Sequence, residues 1–474
     1  MNDPIYPLSS DTDIVNNVTY DEIAVGDSAS LLRKLSPADI QAFATVSGDV
    51  NPAHLDQDYA EHTMFHGVIA HGMWGGALIS ALLGTRLPGP GTIYLEQSLQ
   101  FLKPVRVGDE LTVTVTVLAK DDEKKRLRLH CEIKNQKGQP VVTGEAHVIA
   151  PSERVSRPRA HLPTIAMFDL GARQQALIHS VAELEPVTCA VVHPCEAEAL
   201  KGALEAGQQG LIKPVLIAPK QKLLAIASQA GLDLSSATIV DVPHSHAAAA
   251  RAVELAASGE IESLMKGSLH TDELMSAVLS NPALRTKRRL SHVFHLDVPM
   301  YHKVLLLTDA ALNLAPDLAE KADILQNAIE LAQILGIVEP KVALLAAVEN
   351  VNPRMPATLD AAALCKMAER GQIKGALLDG PLAFDNAISS RAAEIKGIDS
   401  PVAGDPDILL APNLEAANMM AKQFEYSAGA AAAGIVLGAR VPIALTSRAD
   451  EAATRVASAA LLKLVAHAYR RNTP

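Results

Sequence analysis

In the run Ser47-Gly48-Asp49-Val50-Asn51-Pro52-Ala53-His54, a carboxylate and an imidazole stand on either side of an Asn-Pro pair. Such a pair disfavours helix and promotes a turn, so Asp49 and His54 can face one water molecule instead of riding along a helix face. His71-Gly72-Met73 and Ser80 follow. Gly72 stands where an apolar helix begins, and its backbone N–H would sit at the positive end of the helix dipole, a donor suited to a developing oxyanion. A glycine there also lets a substrate come close. Together these groups could move protons to and from water beside a polarised carbonyl.

Local signals show how these residues are placed. Ser36-Pro37-Ala38-Asp39 predicts a helix start, with a Ser cap, Pro at the first helical position and an acid in the first turn. Ile40, Phe43 and Ala44 would form its buried stripe. A second helix is expected over 73–83. Beyond it Leu111, Val113, Val115 and Val117 alternate with Thr112, Thr114 and Thr116, and stretches at 126–133 and 141–149 repeat the pattern, so strands are predicted. Residues 1–30 are polar and acidic and read as a loose lead-in.

At this level the chain resembles the MaoC-type (R)-specific enoyl-CoA hydratases from about residue 30 to 150. The likeness includes Gly91-Thr92-Ile93-Tyr94-Leu95-Glu96-Gln97-Ser98-Leu99 and Val107-Gly108-Asp109-Glu110. It implies an α+β hotdog domain, one helix wrapped by a strand meander, that hydrates trans-2-enoyl-CoA to the (R)-3-hydroxy product. On that basis Asp49 and His54 share the proton transfers, the Gly72 N–H holds the enolate oxygen, Ser80 supports the site by hydrogen bonding and Asn51 contacts substrate. A rival set of metal ligands, His54, His62, His66 and His71, is set aside. No cysteine is near and Asp49 and His54 already have a metal-free role, so no metal is assigned and His62 and His66 read as loop or surface residues.

Pro151 to Pro163 is rich in proline and charge and reads as a linker at 151–164. After it, short apolar strands at Val187–Val192, Pro214–Ala218 and Thr238–Val242 alternate with helical stretches at Glu196–Ala206 and Ala247–Ala257, the rhythm of a parallel α/β sheet. The stretch from Phe168 to Leu464 resembles the phosphate acetyl/butyryltransferases. The blocks are Lys266-Gly267-Ser268-Leu269-His270-Thr271, the run from Leu378 to Ala387, Ser400-Pro401-Val402-Ala403-Gly404, Pro412-Asn413-Leu414-Glu415 and Thr446-Ser447-Arg448-Ala449-Asp450.

That resemblance implies a two-lobed α/β (parallel-sheet) acyltransferase domain over 165–474, with a first lobe at 165–311 and 439–474 and an inserted lobe at 312–438. The implied reaction moves an acyl group between coenzyme A and inorganic phosphate. Ser447 would bond the thiol and Arg448 would clamp the phosphoryl group. His270 and Thr271 match a phosphate-proximal loop; Arg285, Asp385, Asn413 and Glu415 are further substrate-binding candidates. An aspartate expected two turns after the serine is here Thr454, which leaves Asp450 and Glu451 as the nearest acids. No P-loop or GxGxxG occurs, and the Gly/Ala run around Gly429, Gly434 and Gly438 reads as close helix packing.

The 474 residues exceed one core. With 42 Lys and Arg against 53 Asp and Glu, the net charge of −11 argues against a nucleic-acid partner. Coenzyme A phosphates would then need local cations, for which Lys103, Arg106 and the run from Arg285 to Arg289 stand out. Cys131, Cys189, Cys195 and Cys365 show no CxxC spacing, no basic start precedes an apolar stretch and no run could span a bilayer. The expectations are a cytoplasmic homo-oligomer with acyl-CoA and phosphate or acyl phosphate as substrates, no cofactor and no membrane partner. Two other readings stand beside it: a hydratase whose C-terminal region only senses acyl-CoA and oligomerises, and a front domain that only binds thioesters.

Overall fold

The computed structural model describes residues 14–162, 165, 167–447, 450–472 and 474. Two compact units result, Met1–Phe168 and Asp169–Pro474.

In the first unit the helix Pro37–Ser47 begins as expected. Ser36 accepts from the Asp39 N–H at 3.2 Å, the Asp39 carboxylate returns a bond to the Ser36 N–H at 2.9 Å, and the helix stops at Gly48 in the left-handed region, φ +74°. The long helix Gly72–Thr85 buries Trp74, Leu78, Ile79, Leu82 and Leu83 against a six-stranded antiparallel sheet, whose main path runs 28–34, 110–121, 126–134, 140–149 and 93–97. Alternation explains the packing: Leu111, Val113, Val115 and Val117 face the core with Leu127, Leu129, Cys131 and Ile133. This is a hotdog fold.

Two details differ from the sequence reading. The lead-in contains the strand Ile14–Asn16, and the expected linker contains the strand Ser156–Pro158; the two pair antiparallel. Asn17 secures the pair, accepting from the Val155 N–H and donating to the Glu153 carbonyl, each at 2.8 Å.

The second unit is built on one eleven-stranded sheet. Strands Thr238–Asp241, Ile212–Ala218, Val187–Val192, Ser263–Lys266 and Ile443–Ala444 run parallel. Then Ala431–Leu437 and Ser291–Asp297 join antiparallel, and a second parallel block follows, Leu305–Thr308, Ile408–Leu410, Lys341–Leu345 and Leu377–Leu382. Three antiparallel joints reverse direction, so the carboxyl ends of the two blocks point opposite ways. Ser291–Asp297 and Leu305–Thr308 lie in the far half of the sheet, while the chain returns to the first block at Ile443–Ala444.

The Gly/Ala run does meet a helix closely, and it does so as a strand. It forms the central strand Ala431–Leu437, and its small residues let the helix Ala452–Arg471 lie close, with the Gly434 N–H donating to Ser458 Oγ at 3.0 Å.

Candidate functional sites

The Asp49–His54 turn forms as its residue types require. The Asn51 side chain caps the short helix Pro52–Leu55 through the Ala53 N–H at 3.1 Å, and the Asn51 N–H donates to Asp49 Oδ1 at 3.3 Å. His54 Nδ1 lies 2.9 Å from the Ile69 carbonyl oxygen. A carbonyl only accepts, so Nδ1 carries the proton and neutral His54 presents Nε2 as a base. The ring of His71 stacks on that of His54, centroids 3.9 Å apart. Gly72 opens its helix, where the first N–H groups have no intrahelical carbonyl. A Cβ there would stand 3.0 Å from the Phe101 ring, so glycine keeps this approach open.

Beside these groups lies a cavity of about 360 Å³, lined by His54, His71, Gly72, Trp74, Phe101 and Leu111 among others. An imidazole and a free N–H at the wall of an apolar pocket suit a thioester whose carbonyl is held and whose neighbouring carbon meets water. Ser80 is on the exposed face of the Gly72–Thr85 helix. Lys103 lines the cavity, while Arg106 reaches the carbonyls of Phe65 and His66. His62 and His66 are exposed and bonded to the Asp58 and Glu61 carbonyls.

Of the four histidines of the metal reading, His54 and His71 come together, and with Asp49 they offer ligand atoms within 4.8 Å of one another. That trio meets the distance a divalent ion needs. The acid–base reading also accounts for the adjoining apolar cavity and requires no further group.

In the second unit Ser447 sits in a turn held from several sides. Its N–H donates to Asp450 Oδ2 at 2.6 Å and its carbonyl accepts from Arg455 Nη2 at 2.9 Å. Arg455 Nη1 donates to Thr446 Oγ1 at 2.6 Å, and Lys266 Nζ to the Thr446 carbonyl at 3.2 Å. Both cations are buried, Arg455 at 1% exposure. Burial pulls the Arg455 pKa down while Asp450, Glu196 and Glu198 oppose this, and a guanidinium stays charged. Gly202 makes room for it, since a Cβ there would meet Arg455 Cβ and Cδ at 2.8 Å. Two buried cations bonded to Thr446 and to the Ser447 carbonyl give this turn a positive field that favours a thiolate and a phosphate.

Arg448 lies outside the described residues. Thr454 is half-buried on the Ala452–Arg471 helix, and its carbonyl accepts from Ser458 Oγ at 2.8 Å; Glu451 is the cap residue of that helix. His270 caps the helix Thr271–Ser280 without a side-chain bond. Asn413 caps Leu414–Ala428 through the Ala416 N–H at 2.9 Å, with Glu415 exposed in the first turn. Asp385 pairs with Lys396 at 3.0 Å, and Lys396 also holds Glu349. Arg285 is exposed beside a separate cavity of about 470 Å³, its Nε bonded to the Leu279 carbonyl, while Arg288 and Arg289 pair with Glu330 and Glu320. Sequence reading passes over Lys266 as a site residue, and Arg455 and His71 as anchors. Charge inside an Ala-rich helix is the one signal for Arg455.

Comparison with known proteins finds relatives for both units. Residues 25–136 match the family described as "MaoC like domain" and residues 244–462 the family "Phosphate acetyl/butaryl transferase". The phosphate acetyltransferase of Rhizobium meliloti is 56% identical over 62% of this chain and 94% of its own length. A branched-chain phosphotransacylase structure from Enterococcus faecalis V583 is 30% identical, covering 59% of this chain and 99% of its own, with a TM-score of 0.53. The unliganded R-hydratase PhaJ1 of Pseudomonas aeruginosa is 49% identical over 32% of this chain and 99% of its own, TM-score 0.32. The chain belongs to the phosphate acetyl/butyryltransferase family and carries a MaoC-like domain ahead of it.

Proposed function

We propose that the chain is a bifunctional acyl-CoA enzyme whose first unit hydrates trans-2-enoyl-CoA to (R)-3-hydroxyacyl-CoA and whose second transfers an acyl group between coenzyme A and inorganic phosphate. The observation that carries the first activity is the thioester-sized cavity lined by His54 and Gly72, with an Asp49 carboxylate oxygen within 4.8 Å of a His54 ring nitrogen. Water loses a proton to this acid–base pair as its oxygen bonds C3. Electrons pass from the C2=C3 bond to the thioester oxygen, which the Gly72 N–H holds, and the pair returns a proton to C2.

In the second activity the coenzyme A thiolate attacks the carbonyl of an acyl phosphate and phosphate leaves. Ser447 orients the sulfur, Lys266 and Arg455 supply positive field through the turn, and Arg448 takes the phosphate. Asp450 holds the Ser447 N–H and is the acid nearest the thiol by position. The substrates, coenzyme A thioesters and phosphate, need no cofactor for this chemistry. Four unpaired cysteines fit a reducing compartment, which we take to be the cytoplasm; among the described residues no helix is long and apolar enough to cross a membrane. The deciding experiment assays the full-length protein for both reactions. Hydration of crotonyl-CoA without phosphate-dependent release of coenzyme A from acetyl-CoA or butyryl-CoA would reduce the second unit to an acyl-CoA sensor.

A further inference from the structure

We infer that His71 is the positioning residue of the hydration site, fixing Asp49, His54 and the Gly72 N–H relative to one another; the inference rests on the hydratase reading above. Four contacts meet on this one residue. Its ring stacks on His54 at 3.9 Å between centroids, and Phe43 packs against it at 5.1 Å. Its Nε2 lies 3.0 Å from the Asp49 carbonyl oxygen and must donate to it, tying the backbone of the carboxylate to the ring stack. Its own backbone caps the Gly72–Thr85 helix, with its carbonyl accepting from the Trp74 N–H at 3.1 Å, and so sets where the Gly72 N–H points. The anchor of His54, the Ile69 carbonyl, belongs to the same short approach.

A packing role alone does not account for this imidazole. His71 is 3% exposed and its Nδ1 is buried without a partner. An unpaired buried nitrogen costs free energy that Phe or Leu would avoid. What the imidazole adds over both is the Nε2–H on Asp49, and over Leu also a flat face for His54. Neutral His71 spends its single ring proton on a carbonyl, so it orients the proton-transfer groups and does not replace them.

The test uses the full-length protein with His71→Ala, His71→Gln and His71→Phe. Gln keeps a donor near the Nε2 position, Phe keeps the stacked ring, and Ala keeps neither. Misplacing reacting groups by about 1 Å costs on the order of 10²-fold, so His71→Ala should lower kcat for crotonyl-CoA by about that factor with KM little changed. Gln and Phe should each restore part of the loss. Melting temperature and the second unit's phosphotransacylase rate serve as controls on folding. Wild-type kcat in His71→Ala, a loss confined to KM, or equal inactivity of all three well-folded variants would overturn the inference. If His71→Ala does not fold, Gln against Phe decides: reduced kcat with partial retention supports positioning, and wild-type rates in both refute it. Asp49→Asn and His54→Gln run alongside, and activity in those would sink the hydratase reading itself.

Discussion

Arg455 donates from Nη2 to the carbonyl of Ser447 and from Nη1 to the hydroxyl of Thr446, so a buried cation on one helix holds the two residues that begin the acyl-transfer turn. Replacing it with methionine keeps much of the volume and removes both bonds. Each buried group left unpaired costs about 1–3 kcal/mol, and the loosened turn should slow acyl transfer by on the order of 10²-fold. Coenzyme A release from acetyl-CoA, with hydration of crotonyl-CoA measured on the same sample, checks this. The second rate should hold.

Asp49→Asn and His54→Gln should each reduce hydration by roughly 10²–10⁴-fold, the usual cost of losing a positioned acid or base. Acyl transfer should be unaffected, because Asp49 and His54 belong to the other unit. Turnover near the wild-type rate in either variant would remove that residue from the mechanism.

Arg448→Ala should damage acyl transfer far more than Asp450→Asn. A neighbouring carboxylate can stand in for Asp450, and Glu451 adjoins it, whereas the fork of a guanidinium on phosphate has no equivalent nearby in sequence. Phosphate dependence of coenzyme A release gives the comparison: Arg448→Ala should raise the phosphate KM steeply and Asp450→Asn should not.

Burial pushes the His295 imidazole down to about 4, against the opposing pull of its own backbone and Asp297. The unfolded chain titrates near 6.5. Between those values the unfolded state binds the extra proton, so stability is full above pH 6.5 and declines as pH falls toward 4, by on the order of 3 kcal/mol at most. His295→Leu should melt with a shallower dependence on pH between 7 and 5 than the wild type, as differential scanning calorimetry would record. Parallel curves would exclude His295 as the source.

Met73, Ile93, Leu95 and Phe101 are 59%, 56%, 45% and 54% exposed, large apolar side chains on the helix Gly72–Thr85 and the strands Ile93–Gln97 and Gln100–Phe101 that a partner surface would cover. Light scattering should therefore return a mass well above the 50.1 kDa of one chain. A particle of single-chain mass at micromolar concentration would contradict it.

Legibility followed range along the chain. Asp49, Asn51 and His54 are read correctly as one turn because the forces that place them are local: a proline, a capping amide and a glycine stop. The helix starting at Pro37 and the alternating strands are read for the same reason. Arg455 and Lys266 are not, because their value lies in contacts to Thr446 and Ser447 that only the folded sheet creates. The Ala431–Gly434 run is half legible for a related reason: small residues signal that a helix comes close, but that they themselves form a strand is decided by partners far away, here Ser291–Asp297.

The antiparallel pairing of Ile14–Asn16 with Ser156–Pro158 bears on how this chain can be taken apart. A body whose entry and exit are knotted side by side is portable: it can be spliced ahead of another enzyme without its own scaffold being stretched. The same latch sets the cutting point. A fragment ending near residue 150 would leave one side of the clasp open and fray its own entry strand, whereas one carried past Pro158 keeps the clasp shut.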